Sequence, residues 1–137
     1  MKILFFGNPL VKKDNLVLKK IPKLKKRFSG IEFKEKDSTE NLEKEGRKLK
    51  IIDAVEGIEK VQVIKLENSK DFDKLNTEKI YSMHDFDLGY NLKLLKKVDL
   101  IDKVEIIALP MNIEEEEALN QIQLILRKWV AQDMQGS

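Results

Sequence analysis

Apolar residues fall along this chain in two distinct rhythms. Three short runs are dominated by apolar residues: Ile3–Leu4–Phe5–Phe6, Leu49 to Val55, broken by Lys50 and Asp53, and Val104 to Leu109, broken by Glu105. Each is too short for a buried helix and reads as a strand covered on both faces. Ile31–Glu32–Phe33–Lys34–Glu35 alternates apolar and polar positions and predicts a more exposed strand. Val61–Gln62–Val63–Ile64–Lys65–Leu66 alternates too and predicts an edge strand with one wetter face. Other stretches carry the helical rhythm. Asp14 to Phe28 reads as a helix that Pro22 should kink or split. Asp37–Ser38–Thr39 offers an N-cap, and Leu42 belongs to a short helix that Gly46 ends. Phe86 to Lys97 repeats leucine at 88, 92 and 95. A final helix starts at the acidic run Glu114–Glu117, which suits the helix dipole, and buries Ala118, Ile122, Ile125, Leu126 and Trp129. Asn68 to Tyr81 reads as polar and irregular, and Gln135–Gly136–Ser137 as a frayed tail.

Strands alternating with helices predict one α/β domain over residues 1–137, a three-layer α/β/α sandwich around a mostly parallel sheet of about five strands. Only a short turn at Glu56–Gly57 separates the strand ending at Val55 from the one starting at Val61. So short a link predicts one antiparallel strand and a mixed sheet.

Composition narrows the functional classes. With 42% hydrophobic and 36% charged residues the chain reads as globular. A formal net charge of +2 gives no electrostatic case for a nucleic-acid partner. No apolar stretch has the length of a membrane span, and the first residues lack the pattern of a signal peptide. The absence of cysteine removes disulfides, thiolate catalysis and cysteine-ligated clusters, and the cytoplasm is the expected compartment. Lysine and glutamate dominate the charged residues, a bias found in hyperthermophile proteomes.

Candidate chemistry collects where strands end. Gly7–Asn8–Pro9 stops the first strand abruptly, since glycine frees the backbone and proline holds its predecessor extended. Asp14 precedes the first helix, Asp53 interrupts an apolar strand near its end, and His84 precedes the leucine-rich helix. In an open α/β sheet such positions tend to share the carboxyl edge, where sites are built. Two carboxylates and an imidazole suit a divalent transition metal with open coordination positions. His84 is the sole histidine, so a site needing several is excluded. Each residue also has a structural reading: Asp14 as a helix cap, Asp53 as a loop cap bonding backbone N–H groups, His84 as a cap or surface residue.

The same residues resemble the hydrogenase maturation endopeptidases. Gly7–Asn8–Pro9–Leu10 with Lys12–Lys13–Asp14 resembles the family's first motif, Gly-x-Gly-Asn-x-Leu-x-x-Asp-Asp/Glu-Gly. Ile51–Ile52–Asp53–Ala54–Val55 resembles the second, Ser82–Met83–His84–Asp85 and the helix after it the third, and Ile106–Ile107–Ala108–Leu109–Pro110 the final strand. Three departures stand out: Phe5 replaces the first glycine, Lys13 stands at a usually acidic position, and Asn15 stands in place of glycine.

The resemblance implies an aspartic-type endopeptidase that clips the C-terminal extension from a nickel–iron hydrogenase large-subunit precursor after nickel insertion. It implies Asp14, Asp53 and His84 as the nickel-contacting and catalytic residues, and Gly7 and Asn8 as substrate-binding. The nickel would arrive on the precursor as the recognition feature. A polarised peptide carbonyl or an activated water would then account for hydrolysis without a serine or cysteine nucleophile. The small size and lysine-rich composition fit an archaeal branch acting on a deazaflavin-reducing hydrogenase. Two alternatives accompany this reading: a non-catalytic maturation factor that binds precursor or metal, and a small nucleotide- or phosphate-binding module. Gly7 lacks the glycine-rich phosphate cradle that the last would need.

Overall fold

The computed structural model describes residues 1–6, 15–36, 41–77, 81–82, 87–110 and 112–135. In chain order these form β1 (Lys2–Phe6), α1 (Asn15–Arg27), β2 (Glu32–Lys36), a 3₁₀ turn (Leu42–Glu45), β3 (Lys48–Glu56) and β4 (Gln62–Leu66). There follow α2 (Ser69–Thr77), β5 (Tyr81–Ser82), α3 (Asp87–Lys97), β6 (Lys103–Pro110) and α4 (Glu115–Gln135). The main path of the sheet runs β2-β1-β3-β6-β4, and the two-residue β5 pairs with β3. β2, β1, β3 and β6 are mutually parallel, whereas β4 pairs antiparallel with β6 from Leu66↔Val104 to Gln62↔Ala108. The expected mixed α/β sheet, with the 61–66 strand antiparallel at an edge, is therefore present. β6 inserts between β3 and β4, so the link over 57–61 crosses two strand spacings, about 10 Å. Gly57, at φ 87°, takes the left-handed backbone with which that link begins.

The alternation of side chains along each strand divides the core into two clusters. Ile3 and Phe5 of β1, Ile52 and Ala54 of β3, and Ile107 and Leu109 of β6 pack with Ile21 and Leu24 of α1 and with Leu119, Ile122, Leu126 and Trp129 of α4. Leu4, Phe6, Leu49, Ile51, Val104 and Ile106 pack on the opposite face with Phe72 of α2 and Leu88 and Leu92 of α3. The result is a three-layer sandwich whose central strands are covered on both faces. Among the described residues no helix is long and apolar enough to cross a membrane.

Three details differ from the sequence reading. α1 is one element with Pro22 inside it. Ile21 and Leu24, buried on either side of the exposed Pro22, seat both halves of the helix on the sheet. The stretch read as irregular holds α2 and β5. α2 starts with a reciprocal cap: Asp71 N–H donates to Asn68 Oδ1 (3.0 Å), while Glu67 and Asn68 N–H donate to Asp71 Oδ2 (3.0 and 3.2 Å). Phe72, 1% exposed, is its anchor. Finally, α4 reaches Gln135, the first residue of the expected tail.

Ion pairs gather toward the amino ends of the parallel strands. Arg47, just before β3, donates to both carboxylate oxygens of Asp102 (3.0 and 2.8 Å) and to Asp99 Oδ1 (2.8 Å). Lys50 and Glu105 are register partners on β3 and β6, and Lys50 Nζ donates to Glu105 Oε1 at 2.9 Å. The same ammonium lies 4.4 Å from the centre of the Trp129 ring. Burial raises the Glu105 carboxyl, but the bond from Lys50 and the charges of Lys50, Lys103 and Lys65 outweigh it and hold the group below its usual range. Glu45 is likewise held low, chiefly by Lys34 at 2.6 Å, against burial and with help from Lys2 at 3.3 Å.

Candidate functional site

The connectivity marks one place at the carboxyl edge. From β1 the chain crosses through α1 to β2 on one side, and from β3 it proceeds to β6 on the other. The order therefore reverses between β1 and β3, and open α/β sheets hold their sites in the crevice beyond such a reversal.

Asp53 stands at that point. It lies on β3 with 1% of its surface exposed. On one side its register partner is Ala108 of β6. On the other, β1 pairs with β3 at Leu4↔Ile51 and Phe5↔Ile52, so Asp53 is level with Phe6, the last residue of β1. Strand alternation places Asp53 on the face of Ile51 and Phe6, the α2–α3 side of the sheet. Ala108, with its small side chain, is a compact neighbour for the carboxylate. The strand is laid down by flanking β-branched and aliphatic residues, and Asp53 is carried into the core with them.

β5 brings a third strand to this place. Val55 pairs with Pro110 of β6 and also with Ser82 of β5, so these two neighbours occupy opposite edges of β3. β6 fills one edge to Val55, and β5 takes the edge that β1 leaves vacant beyond Phe6. Because β5 is antiparallel, going from Tyr81 to Ser82 moves from Glu56 toward Val55, that is, toward Asp53. β1 approaches the same point from the other direction. The sequence reading missed β5, although Ile80–Tyr81 has the bulky residues of a strand.

Of the predicted site residues, Asp53 is described and buried at the carboxyl edge. Gly7, Asn8, Asp14 and His84 lie outside the described residues. Among the described residues no three acidic, histidine or cysteine side chains form a metal-binding group. Two carboxylates and one imidazole, if joined, would be a donor set suited to nickel, zinc or iron.

A second feature shares the edge. An open cleft of about 990 Å³ lies between the 57–61 link, Pro110 at the end of β6 and the start of α4. Glu59, Glu114 and Glu117 face it together with Lys60. Pro110 belongs to both the cleft and the strand pair with Val55, so the cleft adjoins the end of β3. No sequence pattern pointed to this cleft, because its walls come from three separate parts of the chain.

No family model matches the chain, and neither a curated protein nor a solved structure matches it.

Proposed function

We propose that this chain is a processing endopeptidase of the hydrogenase maturation type. It removes the C-terminal extension of a nickel–iron hydrogenase large-subunit precursor once nickel has been inserted, and it does so in the cytoplasm. One observation carries the reading: Asp53 is buried at the topological reversal, level with the end of β1, and β5 runs toward it. The segment 7–14, which contains Gly7, Asn8 and Asp14, follows β1 directly in sequence, and His84 comes two positions after Ser82. Buried ionisable groups concentrate at functional sites.

In this proposal Asp53, Asp14 and His84 meet the nickel that the precursor carries. The metal is cargo, already ligated by its owner. An incomplete set of three side chains would hold a free ion poorly but would discriminate a loaded precursor from an empty one. Gly7 and Asn8 present backbone and a small amide to the peptide that is cut. Lys13 favours a second reading, a factor that binds the precursor without cutting it, because it puts a cation beside the proposed ligands.

Incubating the purified protein with a nickel-loaded precursor and weighing the products by mass spectrometry tests both. A shortened precursor with a released C-terminal peptide is expected. Stable complex formation with an intact precursor would support the non-catalytic reading, and neither cleavage nor binding would refute both.

A further inference from the structure

α3 is apolar on two sides. Its inner side is accounted for by Leu88 and Leu92, with Leu95 partly buried beside them. Its outer side carries Tyr90, Leu94 and Val98, four residues apart and 59%, 46% and 54% exposed. Residues four apart form one row along a helix. Val98 N–H donates to the Leu94 carbonyl (3.0 Å), which carries the row one residue past the end of α3, and the left-handed Asp99 then ends it, with Leu100, 43% exposed, beyond. The other exposed large apolar residues among those described, Leu124 and Met134, stand ten positions apart on α4, about 15 Å along its axis. The row on α3 is the concentrated patch, and contiguous exposed apolar surface marks interaction sites.

The charges beside the row identify its partner. Lys93 and Lys97 fall three positions after Tyr90 and Leu94 and form the adjacent row. Lys93 is 3.4 Å from Asp73, which offsets part of its charge, and Lys97 is exposed. The nearby acid, Asp99, is engaged by Arg47 at 2.8 Å. The flank is therefore basic. A second copy of the chain packed antiparallel through this face is a poor occupant, because the two-fold axis would set one lysine row against the other.

We propose that the outer face of α3, from Tyr90 to Val98, docks an amphipathic helical segment of a partner protein whose apolar stripe is bordered by acidic residues. Tyr90, Leu94 and Val98 supply the buried contact, and Lys93 and Lys97 select for acid at its rim. The site is distinct from the carboxyl-edge site and does not depend on the processing activity.

The test titrates the ¹⁵N-labelled full chain with two synthetic helices. Both carry leucines at three- and four-residue spacing, one bordered by glutamate and the other by lysine. Saturable shifts confined to 90–100 are expected with the glutamate peptide. Affinity should fall about tenfold for the lysine peptide and about tenfold for the variant Leu94→Lys. Lys97→Glu should reverse the preference between peptides without touching the apolar row, and amide spectra of both variants check that the fold persists. Equal affinity for the two peptides, shifts elsewhere, or no binding would overturn the proposal. So would a dimer in sedimentation that Leu94→Lys dissolves, or phosphatidylserine-vesicle binding that Leu94→Lys abolishes while the glutamate peptide fails to bind.

Discussion

The two ends of the β3–β6 strand pair differ in what surrounds their charged groups. Toward the amino end, Arg47 grips Asp99 and Asp102, and Lys50, lying against the Trp129 ring, holds Glu105. These contacts bind the start of β3 to the α3–β6 turn and to α4, and the charges complement one another locally. Toward the carboxyl end, a carboxylate is buried at 1% exposure where three strands meet, and an open cleft adjoins it. The difference teaches where stability and function are lodged. Charge at the amino end fastens the fold. Charge at the carboxyl end is carried into the core by the strand around it, and the proposed function gives that burial a purpose.

That contrast breaks if changes at the fastening end alter processing more than stability. The largest effect on stability is expected from the layer supporting both ends. Phe72→Ala empties a fully enclosed site beneath α2 and should cost about 3–5 kcal/mol, read as a lower midpoint in urea unfolding. Its size would show that the stretch from Asn68 to Thr77 is an integral part of the core.

A smaller effect sharpens the comparison at the amino end. Glu105→Gln leaves Lys50 without its ionic partner and should cost about 1–3 kcal/mol, while the proposed cleavage of the precursor should be unaffected. The pH dependence has a definite sign. Glu105 and Glu45 are held below the usual glutamate range of about 4.3, so their folded forms bind protons less readily than the unfolded chain. Their stabilisation is complete above that range and is lost as pH falls through the lowered folded values. Thermal melts of the wild type should weaken in this acid window, and Glu105→Gln should flatten the dependence.

The sequence carried much of this fold openly. Ile3 to Phe6, Ile51 to Val55 and Val104 to Leu109 are apolar except at Asp53 and Glu105 because helices cover both of their faces, and that pattern needs no tertiary knowledge to read. The alternation in Val61–Leu66 and the short link before it announced an antiparallel edge strand. What stayed hidden has physical causes. α2 rests on Phe72 and an Asn68–Asp71 cap, too few apolar positions to show a period. β5 has two residues and exists because β1 ends early and leaves an edge of β3 open. Pro22 interrupts a hydrogen bond but not the packing of Ile21 and Leu24, which keeps α1 in one piece. Asp53 was visible as an anomaly, a charge in an apolar run, and its burial is consistent with that signal. Gly7, Asn8, Asp14 and His84 lie outside the described residues, so their part in the site rests on the sequence order of the motifs.

The most direct measurement compares cleavage of the nickel-loaded precursor by the wild type, by Asp53→Asn and by His84→Ala, with circular dichroism confirming that each variant is folded. Loss of at least about a hundredfold in rate for both variants, at unchanged helical and strand content, is the expected result, since each removes a group that, in the proposed function, meets the metal-bearing substrate. Processing at the wild-type rate by either folded variant would contradict the assignment of the carboxyl edge as the active site.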